Sequence, residues 1–299
     1  MRVLREGKNM KMTKNPKAWL CLALALCLIS AIFASAIQGS FGKVKVSELR
    51  LVDQAGYEVS TQLYKPAAAT SASPAPCIIT VEGWYNNKEM QDLYSVEYAR
   101  RGYVVIAVDM HGHGDSESTD ADGLYTAAVG LDAAVELAGT LPYVDHSKIA
   151  VTGHSSGGAA CDMAVAIDNQ RETPLIAAVL YQASTWIDDT GVDHSAALGG
   201  RYVGMIADRY DEFFYWTVDE NGNDTVPLQF LSTPDARNFV NFNNGYQGVG
   251  EVIPGKYYEQ DGLFRVIYQP DCTHPWVHFS ATCVGYGIQF FEDAFGAPN

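Results

Sequence analysis

The sequence predicts an α/β fold: a mostly parallel, twisted sheet with an opening β-hairpin, helices on both faces and little or no lid. Three observations lead to it. Short unbroken apolar runs recur at 77–82, 103–109, 175–180 and 264–268, as in strands covered on both sides. Helix-forming segments separate them, giving the strand–helix rhythm of a parallel sheet. An alternating apolar/polar stretch precedes them all, which is the pattern of a hairpin. Length supports one large domain, 41–299, behind a leader at 1–40.

The leader begins with Arg2, Arg5, Lys8, Lys11, Lys14 and Lys17 against a single acid, Glu6, and continues uncharged to Ile37. About twenty apolar residues suit a membrane-spanning helix or a long signal peptide. Ala34-Ser35-Ala36 has the small-x-small form of a cleavage site. Neither Cys21 nor Cys27 follows the small residue expected before a lipidated cysteine. On either reading the basic end stays in the cytoplasm and the rest is exported, secreted or anchored. The chain has 20 basic and 35 acidic residues; setting aside the first 40 leaves 14 against 34, a formal charge of −20. So acidic a surface repels phosphate backbones, which excludes nucleic acid as a partner.

Residues 44–51 and 57–63 alternate around the turn Asp53-Gln54-Ala55-Gly56, forming the hairpin. Residues 66–76 make a surface connection. The strand at 77–82 ends in Gly83-Trp84-Tyr85-Asn86-Asn87, and a helix over about 90–101 stops at Gly102. The strand at 103–109 exits through His111-Gly112-His113-Gly114-Asp115-Ser116. Residues 124–141 read as an amphipathic helix with Ala128, Leu131, Val135 and Ala138 on one face. Strands at 175–180, 202–206 and 264–268 follow, then a closing helix over 279–295. Residues 184–200 leave little room for a lid. Residues 213–262, rich in aromatics, Asn and Gly, form a long insertion read as an excursion near the active site. Its Phe213, Phe214, Tyr215, Trp216, Tyr257 and Tyr258 are candidates to line an acyl pocket or stack on sugar. Cys77 and Cys161 pack as small hydrophobes. Cys272 and Cys283 are candidates for a bridge in an oxidising compartment.

The chemistry centres on Gly153-His154-Ser155-Ser156-Gly157, set between a buried strand and a helix rich in small residues. A tight strand-to-helix turn lifts Ser155 out of the sheet, and Gly153 and Gly157 allow neighbouring backbones to come close. Ser156 opens the helix, so its N–H has no partner within it. A serine nucleophile needs a base, and the base needs an orienting acid. The loop after 202–206 offers Asp208, Asp211 and Glu212; Asp211 is selected because it lies a loop's length beyond the strand, while Asp208 is able to pair with Arg209. The loop after 264–268 offers His274, with Pro275 holding the chain extended, and His278 as the alternative base, with Ser280 placed to cap the closing helix.

The order Ser155, Asp211, His274 resembles the α/β-hydrolase superfamily over nearly all of the chain beyond Phe41. The turn 109–116 is similar to the family's Asp-x-Arg-Gly-x-Gly-x-Ser turn, with His111 where Arg is usual; the resemblance makes His111 and His113 structural. Glu82-Gly83-Trp84 stands where many members have His-Gly-x. By that match the backbone N–H groups of Trp84 and Ser156 form the oxyanion hole. The resemblance implies acyl transfer on a small-molecule ester with no cofactor and no metal, in the serine esterase and dienelactone hydrolase-like branch. Dienelactone hydrolases themselves use cysteine, so Ser155 points to esterase chemistry. A serine peptidase of the same fold and a non-catalytic binding protein on a hydrolase scaffold are the alternatives. Such peptidases usually carry a large additional N-terminal domain, and a binding protein would normally have lost one of the three residues.

Overall fold

The computed structural model describes residues 15–120, 128–187, 191–213 and 217–298. Its centre is a nine-stranded sheet of order β1-β2-β4-β3-β5-β6-β7-β9-β8. The hairpin β1 (Val44–Val52) and β2 (Glu58–Pro66) pairs antiparallel, and β2 lies antiparallel to β4 (Val104–Val108). From there β4, β3 (Ala75–Val81), β5 (Val144–His154), β6 (Ile176–Gln182), β7 (Tyr202–Ile206) and β9 (Leu263–Tyr268) are parallel. A short antiparallel edge strand, β8 (Tyr258–Gln260), closes the far side from within the 213–262 segment.

Alternation along the buried strands feeds two cores. Cys77, Ile79 and Val81 face one side with Val104, Ile106 and Val108, and that side is covered by α3 (Leu131–Thr140) and α4 (Ser156–Asp168). Ile78, Val105 and Ala107 face the other, covered by Tyr94 and Tyr98 of α2 (Asp92–Arg100) and Phe290 and Phe291 of α6 (Ala281–Phe295). A strand buried on both faces has no polar side to show, which is why these segments read as unbroken apolar runs.

Two expectations are corrected. The helix expected over 124–141 starts only at Leu131, behind a 3-10 turn at Ala128–Gly130. Val129 (φ 53°) and Gly130 (φ 94°) are left-handed there and break the helical path, while 121–127 lie outside the described residues. His274 does not stay in extended chain: it opens a 3-10 turn, His274–Phe279, with Pro275 among its first residues, where a missing N–H costs nothing. The 213–262 segment is partly core. Its α5 (Pro234–Val240) and the 3-10 turn Pro227–Ser232 bury Phe230, Phe239 and Val240, and Phe239 stacks on Trp186 at 3.8 Å. Tyr257 stacks on Phe264 at 4.5 Å and hydrogen-bonds Tyr268, so it packs. Phe214, Tyr215 and Trp216 lie outside the described residues.

Before the sheet, α1 (Pro16–Gln38) is apolar, with mean hydropathy 2.6 over its most apolar window, and none of that window is buried. It is long enough to cross a membrane. Its last residue, Gln38, reaches Gln62 and Tyr64 of β2.

Candidate active site

Ser155 sits between β5 and α4 at φ 54°, ψ −120°, a strained conformation for a residue with a Cβ. Such strain costs of order 1–3 kcal/mol and persists only where its surroundings enforce it. Here they do. Ser155 N–H donates to Gln182 O (3.0 Å), and Ser155 O accepts from Gly158 N (2.8 Å) and Ser184 Oγ (2.7 Å). The flanking glycines are obligatory: a Cβ on Gly153 would overlap the Gly157 carbonyl, and one on Gly157 would overlap the Glu82 carbonyl.

The turn after β3 lies against the serine, since a Cβ built on Gly83 would come 3.2 Å from Ser155 Cβ. Trp84 follows Gly83, its side chain exposed, and its N–H has no acceptor among the described residues. Beneath it, buried Glu82 accepts from Met110 N (2.8 Å) and pairs with His113 Nδ1 (3.1 Å) through Oε1, while Oε2 has no partner among the described residues. Burial raises the Glu82 carboxyl above the ordinary carboxylate range. The adjoining turn is held by structural contacts. Asp109 takes Lys88 Nζ (2.8 Å), and His111 Nε2 meets Asp53 (2.5 Å).

The loops after β7 and β9 continue the pairing of those strands as a backbone zipper: Ala207 N to Tyr268 O (2.8 Å), Arg209 N to Pro270 O (3.0 Å) and Tyr210 N to Cys272 O (3.1 Å). That register brings Asp211 Oδ2 to 2.7 Å from His274 Nδ1, both side chains buried. Asp211 Oδ1 accepts from Phe213 N (2.9 Å). His274 is gripped twice more. Its N–H donates to Glu212 Oε2 (3.0 Å), and its carbonyl accepts from His154 Nε2 (2.9 Å). No hydrogen bond joins Ser155 Oγ to His274 among the described residues; such bonds are often long in unliganded hydrolytic sites.

His278 takes a different place. It is buried with its ring 4.0 Å from that of His154, and neither of its nitrogens has a side-chain partner among the described residues. Burial, then the neighbouring His274, push its pKa down to about 4, and burial likewise lowers His154. Asp208 does not pair with Arg209, which binds Asp271 instead (2.8 Å). Both Asp208 oxygens are buried without partners, and burial followed by Asp211 and Glu212 raises its pKa to about 9. With Cys272 and Cys283, Asp208 forms the group among the described residues whose donor atoms lie close enough together to hold a metal ion. The holding contacts of His154 and Glu212 were missed from sequence; a polar side chain beside Ser155 and a spare acid beside Asp211 were the available signals.

Comparison with known proteins adds the class. The family model of X-Pro dipeptidyl-peptidase (S15 family) matches residues 55–201. No curated protein matches the sequence significantly. Among solved structures, a hypothetical protein of Pseudomonas aeruginosa superposes with a TM-score of 0.58 at 13% identity, covering 85% of this chain and 94% of its own. The esterase Pf2001 of Pyrococcus furiosus gives 0.56 at 13% identity over 85% and 92%, and a glucuronoyl esterase of Solibacter usitatus 0.54 at 15% identity over 85% and 83%. Strand order and these likenesses show the α/β-hydrolase fold. The family match and the esterase neighbours support a hydrolase acting on ester or peptide bonds.

Proposed function

We propose that the protein is an exported serine hydrolase that cleaves small-molecule carboxylic esters through an acyl-enzyme on Ser155. The observation that carries this reading is the threefold hold on His274, by Asp211 on the ring and by Glu212 and His154 on its two backbone groups. An imidazole so fixed keeps the Nδ1-protonated tautomer and leaves Nε2 to accept a proton. Ser155 attacks the ester carbonyl as His274 takes its proton. The N–H groups of Trp84 and Ser156 receive the developing oxyanion, each contributing about 3 kcal/mol to transition-state stabilisation. His274 then protonates the departing alcohol, and a water activated by the same imidazole releases the acid. Nothing in this sequence of steps calls for a cofactor. The apolar α1 carries the catalytic domain out of the cytoplasm, as a signal peptide or as an anchor.

The S15 match to residues 55–201 favours a second reading, peptide-bond cleavage by the same residues. A panel of p-nitrophenyl acetate, butyrate and longer acyl esters, set beside Xaa-Pro p-nitroanilides, separates the two. The proposal expects turnover of the esters that disappears in Ser155→Ala. Faster turnover of the anilides makes the protein a peptidase, and no turnover of either leaves a binding protein on a hydrolase scaffold.

A further inference from the structure

The segment that carries His274 has a cysteine at each end. Cys272 lies two residues before His274, and Cys283 lies in the first turn of α6, its N–H directed at Ser280 Oγ (3.3 Å). Both are buried, Cys283 fully and Cys272 at 4% exposure. Their sulfurs lie within 4.8 Å of each other and of a carboxylate oxygen of Asp208. Asp208 is itself wholly buried and unpartnered.

We propose that Cys272 and Cys283 are a redox-active pair whose disulfide locks the base-bearing segment. The oxidant is an external disulfide, either a small-molecule thiol dimer or a disulfide oxidoreductase. Cys272, on the less enclosed side, attacks as its thiolate, forming a mixed disulfide and expelling one external thiol. Cys283 gives up its proton to water and attacks the Cys272 sulfur. The protein S–S bond forms, and the second external thiolate leaves and takes a proton from water. Two protein thiols are oxidised, and one external disulfide is reduced to two thiols.

The ring so closed contains both His274 and His278, so the bond narrows the motion of the very segment that Asp211, Glu212 and His154 hold. Bond formation stands independently of the proposed hydrolysis; its effect on turnover rests on His274 being the base. A bound metal fits less well, because a closed zinc site takes four ligands and this cluster supplies three.

The test uses the full-length protein in detergent, reduced and then equilibrated with oxidised glutathione, followed by alkylation and peptide mapping. The expected result is a mass lower by two hydrogens, a cross-linked peptide pair joining Cys272 to Cys283, and a Tm higher by roughly 5–10 °C. Both thiols still open to alkylation after equilibration, or both shielded by stoichiometric zinc after the reduced protein is offered that metal alone, would overturn the proposal. If the bond forms and neither redox state hydrolyses esters, the disulfide stands and the esterase reading fails.

Discussion

His154 Nε2 lies 2.9 Å from the carbonyl oxygen of His274. The residue preceding Ser155 thus holds the backbone of the residue proposed as its base, so the elbow and the loop carrying His274 are one mechanical unit.

Loosening that unit should slow chemistry more than binding. Glu212→Ala frees the His274 N–H and is expected to lower kcat about tenfold with KM little changed, since a small misplacement of a reacting group is costly. Glu212→Gln, which keeps an acceptor oxygen, should recover most of the loss. Asp211→Asn should cost far more, about 10⁴ in kcat, through the wrong imidazole tautomer. Steady-state kinetics on one ester distinguishes the three. Equal losses in the two Glu212 variants would remove the backbone hold from the account.

Trp84 tests the oxyanion assignment. Its side chain is exposed, so Trp84→Ala should leave kcat within a few-fold. Trp84→Pro deletes the N–H and is expected to cost about 10²–10³ in kcat. A proline variant as active as the alanine variant, and folded by circular dichroism, would assign the donor elsewhere.

Acid sensitivity follows from the buried histidines. His278 has its pKa lowered to about 4 by burial and by His274, and His154 is lowered in the same sense. The unfolded chain takes up these protons near pH 6.5, before the folded protein does, so stability is full above about 6.5 and is lost as pH falls toward 4. His278→Gln should flatten this dependence by up to about 3 kcal/mol, measured by urea unfolding at pH 7.5 and 4.5. A variant with the wild-type pH slope would mean that His278 is not held neutral.

Much of this was legible in sequence because the physics is local. Gly153 and Gly157 mark a turn too tight for a Cβ, and the central strands announce themselves by lacking a polar face. What stayed hidden depends on register between distant loops. That Glu212 would meet the His274 N–H, or that Arg209 would choose Asp271 over Asp208, is fixed by the zipper continuing β7 and β9. The late start of α3 came from left-handed backbone at Val129, a residue that ordinarily avoids it. Phe230 enters the core from a 3-10 turn and Phe239 from a helix of seven residues, too short for a helical period to stand out in sequence.

Ser155 is the proposed nucleophile. Labelling the intact protein with a fluorophosphonate and mapping the adduct by mass spectrometry tests it most directly. One stoichiometric adduct on Ser155 is expected, absent in Ser155→Ala and strongly slowed in His274→Ala. An adduct on another residue, or undiminished labelling of Ser155→Ala, would contradict it.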